Sequence, residues 1–273
     1  MKTILVPTDF SPIANNAVHY AAALANYADA KLVLLHIYSI PVPVADVPVD
    51  MTEYMDDEEK ESMHRLKKLQ TEINNKYSKI KTECIVKPGF VTDEVLVEAN
   101  AKKADLIVMG GIGAGKAPGI LGSNTSTVMK RTKLPVLSIP PGMEFSKPKK
   151  VALACDYSTI VADEVIKRFK DFVNLFKAEV LVFDVLKKAE LVSYEKAAAE
   201  VNLENSLGNI KHSLHFPSGD NLVEEVNKFV EANKVAVLVT MPHNYRLIEG
   251  LFHGSNAKKL VFNTHVPLLS IHE

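Results

Sequence analysis

The residues best suited to chemistry stand together in DLIVMGGIGAGKAPGILGSNTS, Asp105 to Ser126. Six of the chain's twelve glycines fall between Gly110 and Gly122, directly after an apolar run that reads as a strand. Glycine at that density lets backbone N–H groups come close to an anion, and open α/β sheets take ligands beyond the carboxyl ends of their strands. The main-chain amides between Met109 and Thr125 therefore read as an anion cradle at a sheet edge. Its last part, Gly122, Ser123, Asn124 and Thr125, opens the next helix, whose first N–H groups lack partners and whose dipole presents its positive end. Those residues can cradle phosphates, with the Ser123 hydroxyl assisting. The plainer alternative is that Ser123 caps its helix; capping alone leaves the preceding glycines unexplained.

Two better-known phosphate loops fit this stretch poorly. Gly110, four residues, then Gly115-Lys116 matches the start of a P-loop, but Ala117 stands where a Ser or Thr would hold Mg²⁺. Pro118-Gly119 follows where a helix should begin. No G-x-G-x-x-G register can be written, and the loop follows the fourth strand rather than the first. Lys116 can meet a γ-phosphate electrostatically or simply be a solvated loop lysine.

Elsewhere the chemistry is thinner. His36 lies in an apolar strand with no evident partner, the usual setting of a core histidine. His212, His215, His243, His253, His265 and His272 crowd the second half without a ligand spacing, so a zinc site is not expected. There is no G-x-S-x-G and no H-E-x-x-H. Asp56-Asp57 and Glu58-Glu59 sit at a helix start, where the dipole accounts for them. Catalytic bases are not identifiable. Cys84 and Cys155 fall in strands of different halves and read as small core residues.

The elements that must position the glycine loop come from alternating apolar and helical patterns, the signature of βαβ units and a parallel sheet. Strands are expected at Thr3–Pro7, Lys31–Tyr38, Thr82–Val86, Leu106–Met109 and Val136–Ile139. Helices are expected near Pro12–Tyr27, Asp56–Lys79, Thr92–Lys102 and Thr125–Lys130. The run LVLLHI suits a strand buried on both faces. In the second helix Met63, Leu66, Leu69 and Ile73 recur at three- and four-residue steps.

The chain then repeats itself. ILVPTDFSPIANNAV from Ile4 has a counterpart in VALACDYSTIVADEV from Val151, placing Asp9 opposite Asp156 at an offset of 147. Gly122-Ser123-Asn124 and Leu134-Pro135 recur as Gly254-Ser255-Asn256 and Val266-Pro267 at an offset of 132. The second copy has lost about fifteen residues internally, as loops tolerate. Its strands are expected at Val151–Ala154, Val180–Asp184, His212–Phe216, Val235–Thr240 and Leu268–Ile271. The expected architecture is two tandem open-twisted five-stranded parallel sheets flanked by helices, Rossmann-like three-layer sandwiches packed as a pseudo-twofold pair. The halves are residues 1–145 and 146–273, with the proline-rich Ser146–Lys150 at the boundary. The closing strands of the two copies form the pairing surface. In the second copy Met241 and His243 or Asn244 stand where small residues are wanted, so its loop reads as degenerate.

Composition limits the partners. With 273 residues, 47% of them hydrophobic and 24% charged, the chain has globular proportions and length for two domains. A formal charge of -1 argues against nucleic acid, and no apolar run reaches the length of a membrane span. KTILVPTDF opens without a signal-peptide pattern, which gives a cytoplasmic expectation.

On VPTDFS, LLHIY, LIVMG, the loop ending in GSNTS, and LPVLSIP, the sequence resembles the universal stress protein family, in its tandem two-domain form, over essentially the whole chain. In ATP-binding members the loop reads Gly, two residues, Gly, nine residues, Gly, then Ser or Thr. Gly110, Gly113 and Gly122-Ser123 match, with one residue fewer between Gly113 and Gly122. The resemblance implies that Asp9 hydrogen-bonds adenine or ribose, that Pro7 and Thr8 shape the pocket, and that Ile37 covers the adenine face. Asp9 can equally cap the helix that follows it. The implied function is a stress-response protein binding ATP or a related adenine nucleotide in its first half, with Mg²⁺ an open companion of the phosphates. A nucleotide-independent interaction scaffold and a slow ATPase using the same loop remain alternatives, and a homodimer beyond the internal pair is left open.

Overall fold

The computed structural model describes residues 1–40, 51–111, 122–154, 162–183, 203–217, 222–241 and 265–272. The first half runs β1 (Thr3–Pro7), α1 (Pro12–Ala28), β2 (Lys31–Tyr38), α2 (Met51–Lys76), β3 (Thr82–Pro88), α3 (Val91–Ala101), β4 (Leu106–Gly110), α4 (Ser123–Arg131) and β5 (Val136–Ile139). The second runs β6 (Lys150–Ala154), α5 (Asp163–Phe176), β7 (Glu179–Phe183), β8 (His212–His215), α6 (Leu222–Asn233), β9 (Val237–Thr240) and β10 (Leu268–Ser270). Each expected strand is present, within a residue or two at its ends.

The strands form one ten-stranded sheet in the order β3-β2-β1-β4-β5-β10-β9-β6-β7-β8. Read inward from its two edges, this is the same five-strand order twice. Among the described residues every pairing is parallel except β5 with β10, where Leu268 faces Ser138 and Ser270 faces Val136. The expected closing strands thus join the halves edge to edge about a pseudo-twofold. Each hides the other's open edge, which would otherwise present unpaired backbone groups.

Two apolar layers explain the sandwich. Alternate β2 residues divide between them: Leu32, Leu34 and Tyr38 pack with α1 and α2, while Val33, Leu35 and Ile37 pack with α3 and α4. Because successive strand side chains point to opposite faces, a run apolar throughout is what a doubly covered strand requires. The first layer continues across the seam into Val151, Leu153 and α5. There Tyr27 of α1 stacks on Phe176 of α5 at 5.5 Å between ring centres, and Phe145 from the connecting segment lies 5.9 Å from Tyr27. Asn16 of α1 donates to the carbonyls of Pro140 and Met143, tying that segment down.

Local signals set α1. Ser11 accepts the Ala14 N–H as N-cap, Pro12 occupies the first helical position, and Asp29 closes the helix in the left-handed region. α2 is shifted toward the N-terminus relative to the expected Asp56–Lys79. Near its C-terminal end, Gln70 donates to the Thr82 carbonyl and Asn74 accepts from the Thr82 hydroxyl, fastening this end of the helix to β3. Among the described residues, no helix is long and apolar enough to cross a membrane.

Candidate functional site

In the order β3-β2-β1-β4-β5 the direction of strand succession reverses between β1 and β4, and the carboxyl ends of these neighbours open a crevice there. Crevices at such switch points are where open α/β sheets take ligands. A cleft of about 180 Å³ occupies this place. It gathers Pro7, Thr8 and Asp9 from the end of β1, Ile37 from β2, Met109 and Gly110 from β4, and Gly122 to Thr125 from the start of α4. Of the site residues expected from sequence, Gly113 lies outside the described residues, and all the others line this one cleft.

The β1–α1 turn is built by its own side chains. The Phe10 N–H donates to Thr8 Oγ1 at 3.0 Å, and the Ser11 N–H donates to Asp9 Oδ1 at 2.9 Å. Phe10 stands at φ 62°, a left-handed conformation that a bulky residue rarely adopts. Asp9 supports this turn with one carboxylate oxygen while Ser11 caps the helix, so the alternative of Asp9 as plain helix cap does not hold. Asp9 is exposed.

His36 has a partner that sequence reading missed. Its Nδ1 lies 2.8 Å from the Thr8 carbonyl oxygen, and its ring centre lies 4.5 Å from that of Phe10. Since a carbonyl only accepts, Nδ1 carries the proton. Burial, with the nearby Arg65 guanidinium adding to it, holds the His36 pKa below the ordinary histidine value.

The α4 end corrects the capping alternative for Ser123. The helix starts at Ser123, so Gly122 is the N-cap and no side chain caps it. The Gly122 N–H donates to the Gly111 carbonyl at 2.9 Å, and its own carbonyl accepts the Ser126 N–H. The N–H groups of Ser123, Asn124 and Thr125 find no acceptor among the described residues. The first turn carries no acidic residue, while Lys130 and Arg131 fill the last. No acid of the helix's own first turn compensates the positive end of this short dipole. Thr125 differs from its neighbours: its side chain is buried and its hydroxyl donates to the Gly110 carbonyl at 2.8 Å, leaving its amide for the cleft.

Gly110 has a packing reason of its own. A Cβ there would meet Ile13 Cγ2 at 2.8 Å and the Ile13 carbonyl oxygen at 3.3 Å, so the first turn of α1 lies directly against the end of β4. Ser11, Ile13, Ala14 and Val91 also line the cleft and were not expected. The Ser11-Pro12 helix start was the available signal for the first three; Val91, at the start of α3, had none.

Strand register identifies the second-half counterpart. Ile4 pairs with Leu106, and its repeat partner Val151 pairs with Val237, which makes Met241 the second-half equivalent of Gly110. Met241 is buried in the layer that holds α5. The remaining counterparts, Asp156, His243, Asn244, Gly254 and Ser255, lie outside the described residues, as does Cys155. Cys84 is half-buried in β3, with Sγ 3.7 Å from the Leu66 carbonyl oxygen. Among the second-half histidines, His212 Nδ1 lies 2.7 Å from the Ile210 carbonyl oxygen, His215 hydrogen-bonds Ser213, and His272 hydrogen-bonds Ser270.

Chemically, the described lining pairs an apolar wall of Ile37, Val91 and Met109 with one carboxylate and a row of donor amides. Asp9 is the one ionisable side chain among these lining residues. The arrangement can hold a flat apolar group, a hydroxyl or amine, and an anion side by side.

The profile of the universal stress protein family matches residues 1–140. A universal stress protein of Methanocaldococcus jannaschii is 32% identical over 155 residues, covering 55% of this chain and 84% of that protein. Universal stress protein G of Escherichia coli O157:H7 is 30% identical over 142 residues, covering 50% of this chain and 98% of that protein. The crystal structure of a universal stress protein from Archaeoglobus fulgidus shares the fold with a TM-score of 0.71 at 18% identity, covering 99% of this chain and 98% of that one. With half of the sequence matched and the fold common to both halves, this chain belongs to the universal stress protein family.

Proposed function

We propose that residues 1–145 bind ATP or a related adenine nucleotide at the carboxyl ends of β1 and β4, and that residues 146–273 serve as a paired domain with a degenerate loop. The observation that carries this reading is the row of first-turn amides at Ser123 to Thr125 that have no acceptor among the described residues and open on the same cleft as the Asp9 carboxylate. In this reading the base lies on Ile37 and Met109, Asp9 takes a donor from the ribose or adenine, and the phosphates meet the α4 amides with the Ser123 hydroxyl and the Gly113 segment. Met241 as the equivalent of Gly110 supports the asymmetry, because a long side chain stands at the position where, in the first half, glycine admits Ile13. The protein then acts as a cytoplasmic regulatory or protective factor in stress, through conformation or partners.

Titration of the purified chain with ATP, with and without Mg²⁺, tests this directly. Binding of one nucleotide per chain with a raised Tm is expected, because a ligand that binds only the folded state stabilises it. Two equivalent sites would refute the asymmetry, and no binding would favour the scaffold alternative. Steady release of ADP would favour the slow ATPase.

A further inference from the structure

Phe10 and His36 do not line the cleft, yet they converge on the turn that delivers Asp9 to it. The Phe10 ring bridges two elements: the Arg65 guanidinium of α2 lies 3.9 Å from its centre, and the His36 imidazole of β2 lies 4.5 Å from it. His36 also donates to the Thr8 carbonyl at 2.8 Å, and the Thr8 N–H donates to the Leu35 carbonyl at 2.8 Å, so β2 holds Thr8 by both backbone groups. Asn15 donates to the Phe10 carbonyl at 3.3 Å. A left-handed residue with a bulky side chain persists only where its surroundings over-determine it. Here they do: the ring is drawn toward α2 while the preceding side chain, Asp9, is left on the cleft side.

We infer that the Arg65–Phe10–His36 stack is a positioning device that fixes the β1–α1 turn and thereby sets where the Asp9 carboxylate meets the nucleoside part of the ligand. This rests on the nucleotide reading above for its ligand, and on the turn geometry alone for its mechanism. It makes Phe10 and His36 positioning residues for affinity. It also separates the two ends of the site: the stack governs the Asp9 end and has no contact with the α4 amides.

The test uses the full chain with His36→Leu, which removes the donor to Thr8, and Phe10→Gly, which permits the left-handed backbone but removes the ring. Arg65→Ala, an exposed position, serves should either variant fold poorly. His36→Asn, whose side-chain amide puts a donor near Nδ1, and Phe10→Tyr are the conservative controls. Amide hydrogen exchange at Phe10 and Ser11 reads the turn, and binding of adenosine and of tripolyphosphate reads the two ends separately. Expected for the disruptive variants are faster exchange at both amides and adenosine affinity lower by about tenfold, the scale of one hydrogen bond to a charged group. Tripolyphosphate affinity stays unchanged, and the conservative variants recover adenosine binding. Unchanged exchange in His36→Leu and Arg65→Ala overturns the inference, as does equal loss of both ligands. If the wild type binds neither ligand, the nucleotide reading falls and the affinity claim with it, while exchange still decides whether the stack holds the turn.

Discussion

Gly110→Ala measures how tightly the first turn of α1 lies on the end of β4. The added Cβ meets Ile13 Cγ2 at 2.8 Å, closer than real Cβ contacts come, and Ile13 is β-branched and rotamer-restricted in a helix. Ile13 therefore cannot swing aside without moving its backbone, whose carbonyl oxygen is itself 3.3 Å away. Overpacking of this kind costs about 1–3 kcal/mol, from which the reduced freedom of the unfolded chain returns about 0.4–1 kcal/mol. The net loss is about 1–2 kcal/mol, a Tm lower by roughly 2–8 °C for a protein of this size. In an Ile13→Ala background the Cγ2 contact is gone and only the 3.3 Å approach to the carbonyl remains. There the same glycine substitution should fall within about 0.5 kcal/mol of neutral, giving a coupling of about 1 kcal/mol between contacting sites. The assay is a double-mutant cycle of four proteins by urea unfolding, read at constant m-value. If Gly110→Ala costs the same in the wild type and in the Ile13→Ala background, to within about 0.3 kcal/mol, the close approach is not what requires glycine and the reasoning fails.

Other outcomes follow from the same geometry. Asn124→Asp adds the missing acid to the first turn of α4 and should stabilise by about 0.3–1 kcal/mol while weakening ATP binding by calorimetry; tighter binding would remove the α4 amides from the site. Thr125→Val breaks the hydroxyl bond to the Gly110 carbonyl and should cost about 1–2 kcal/mol in chemical denaturation, with Thr125→Ser recovering most of it. His36 and His272 both have pKa values held below the ordinary 6.5 by burial, against the partial opposition at His36 of the Thr8 carbonyl, Glu58 and Asp9. The unfolded chain takes up protons that the folded one refuses, so this contribution is intact above about pH 6.5 and is lost as pH falls through the folded values. Tm should therefore drop on acidification below that point, and His36→Asn should reduce the slope; an unchanged slope would show that His36 does not contribute.

Much of this protein is written locally. The apolar runs at Leu32 and Leu106 suit strands covered on both faces, and Ser11-Pro12 names the start of α1 because capping and proline geometry act within one turn. The repeat likewise follows from residues in order, and so does the glycine-rich approach to Ser123. What the tertiary structure decided are contacts between segments far apart in the chain, where short-range preference carries no information. The union of two sheets into one depends on β5 meeting β10 antiparallel, which hides two open edges at once. The partner of His36 is a carbonyl in the turn just past another strand, and the reason for Gly110 is a methyl group on another element's helix. The start of α4 at Ser123, not Thr125, came from the Gly122 amide finding the Gly111 carbonyl and Thr125 reaching Gly110, bonds that exist only once β4 and α4 have been brought together.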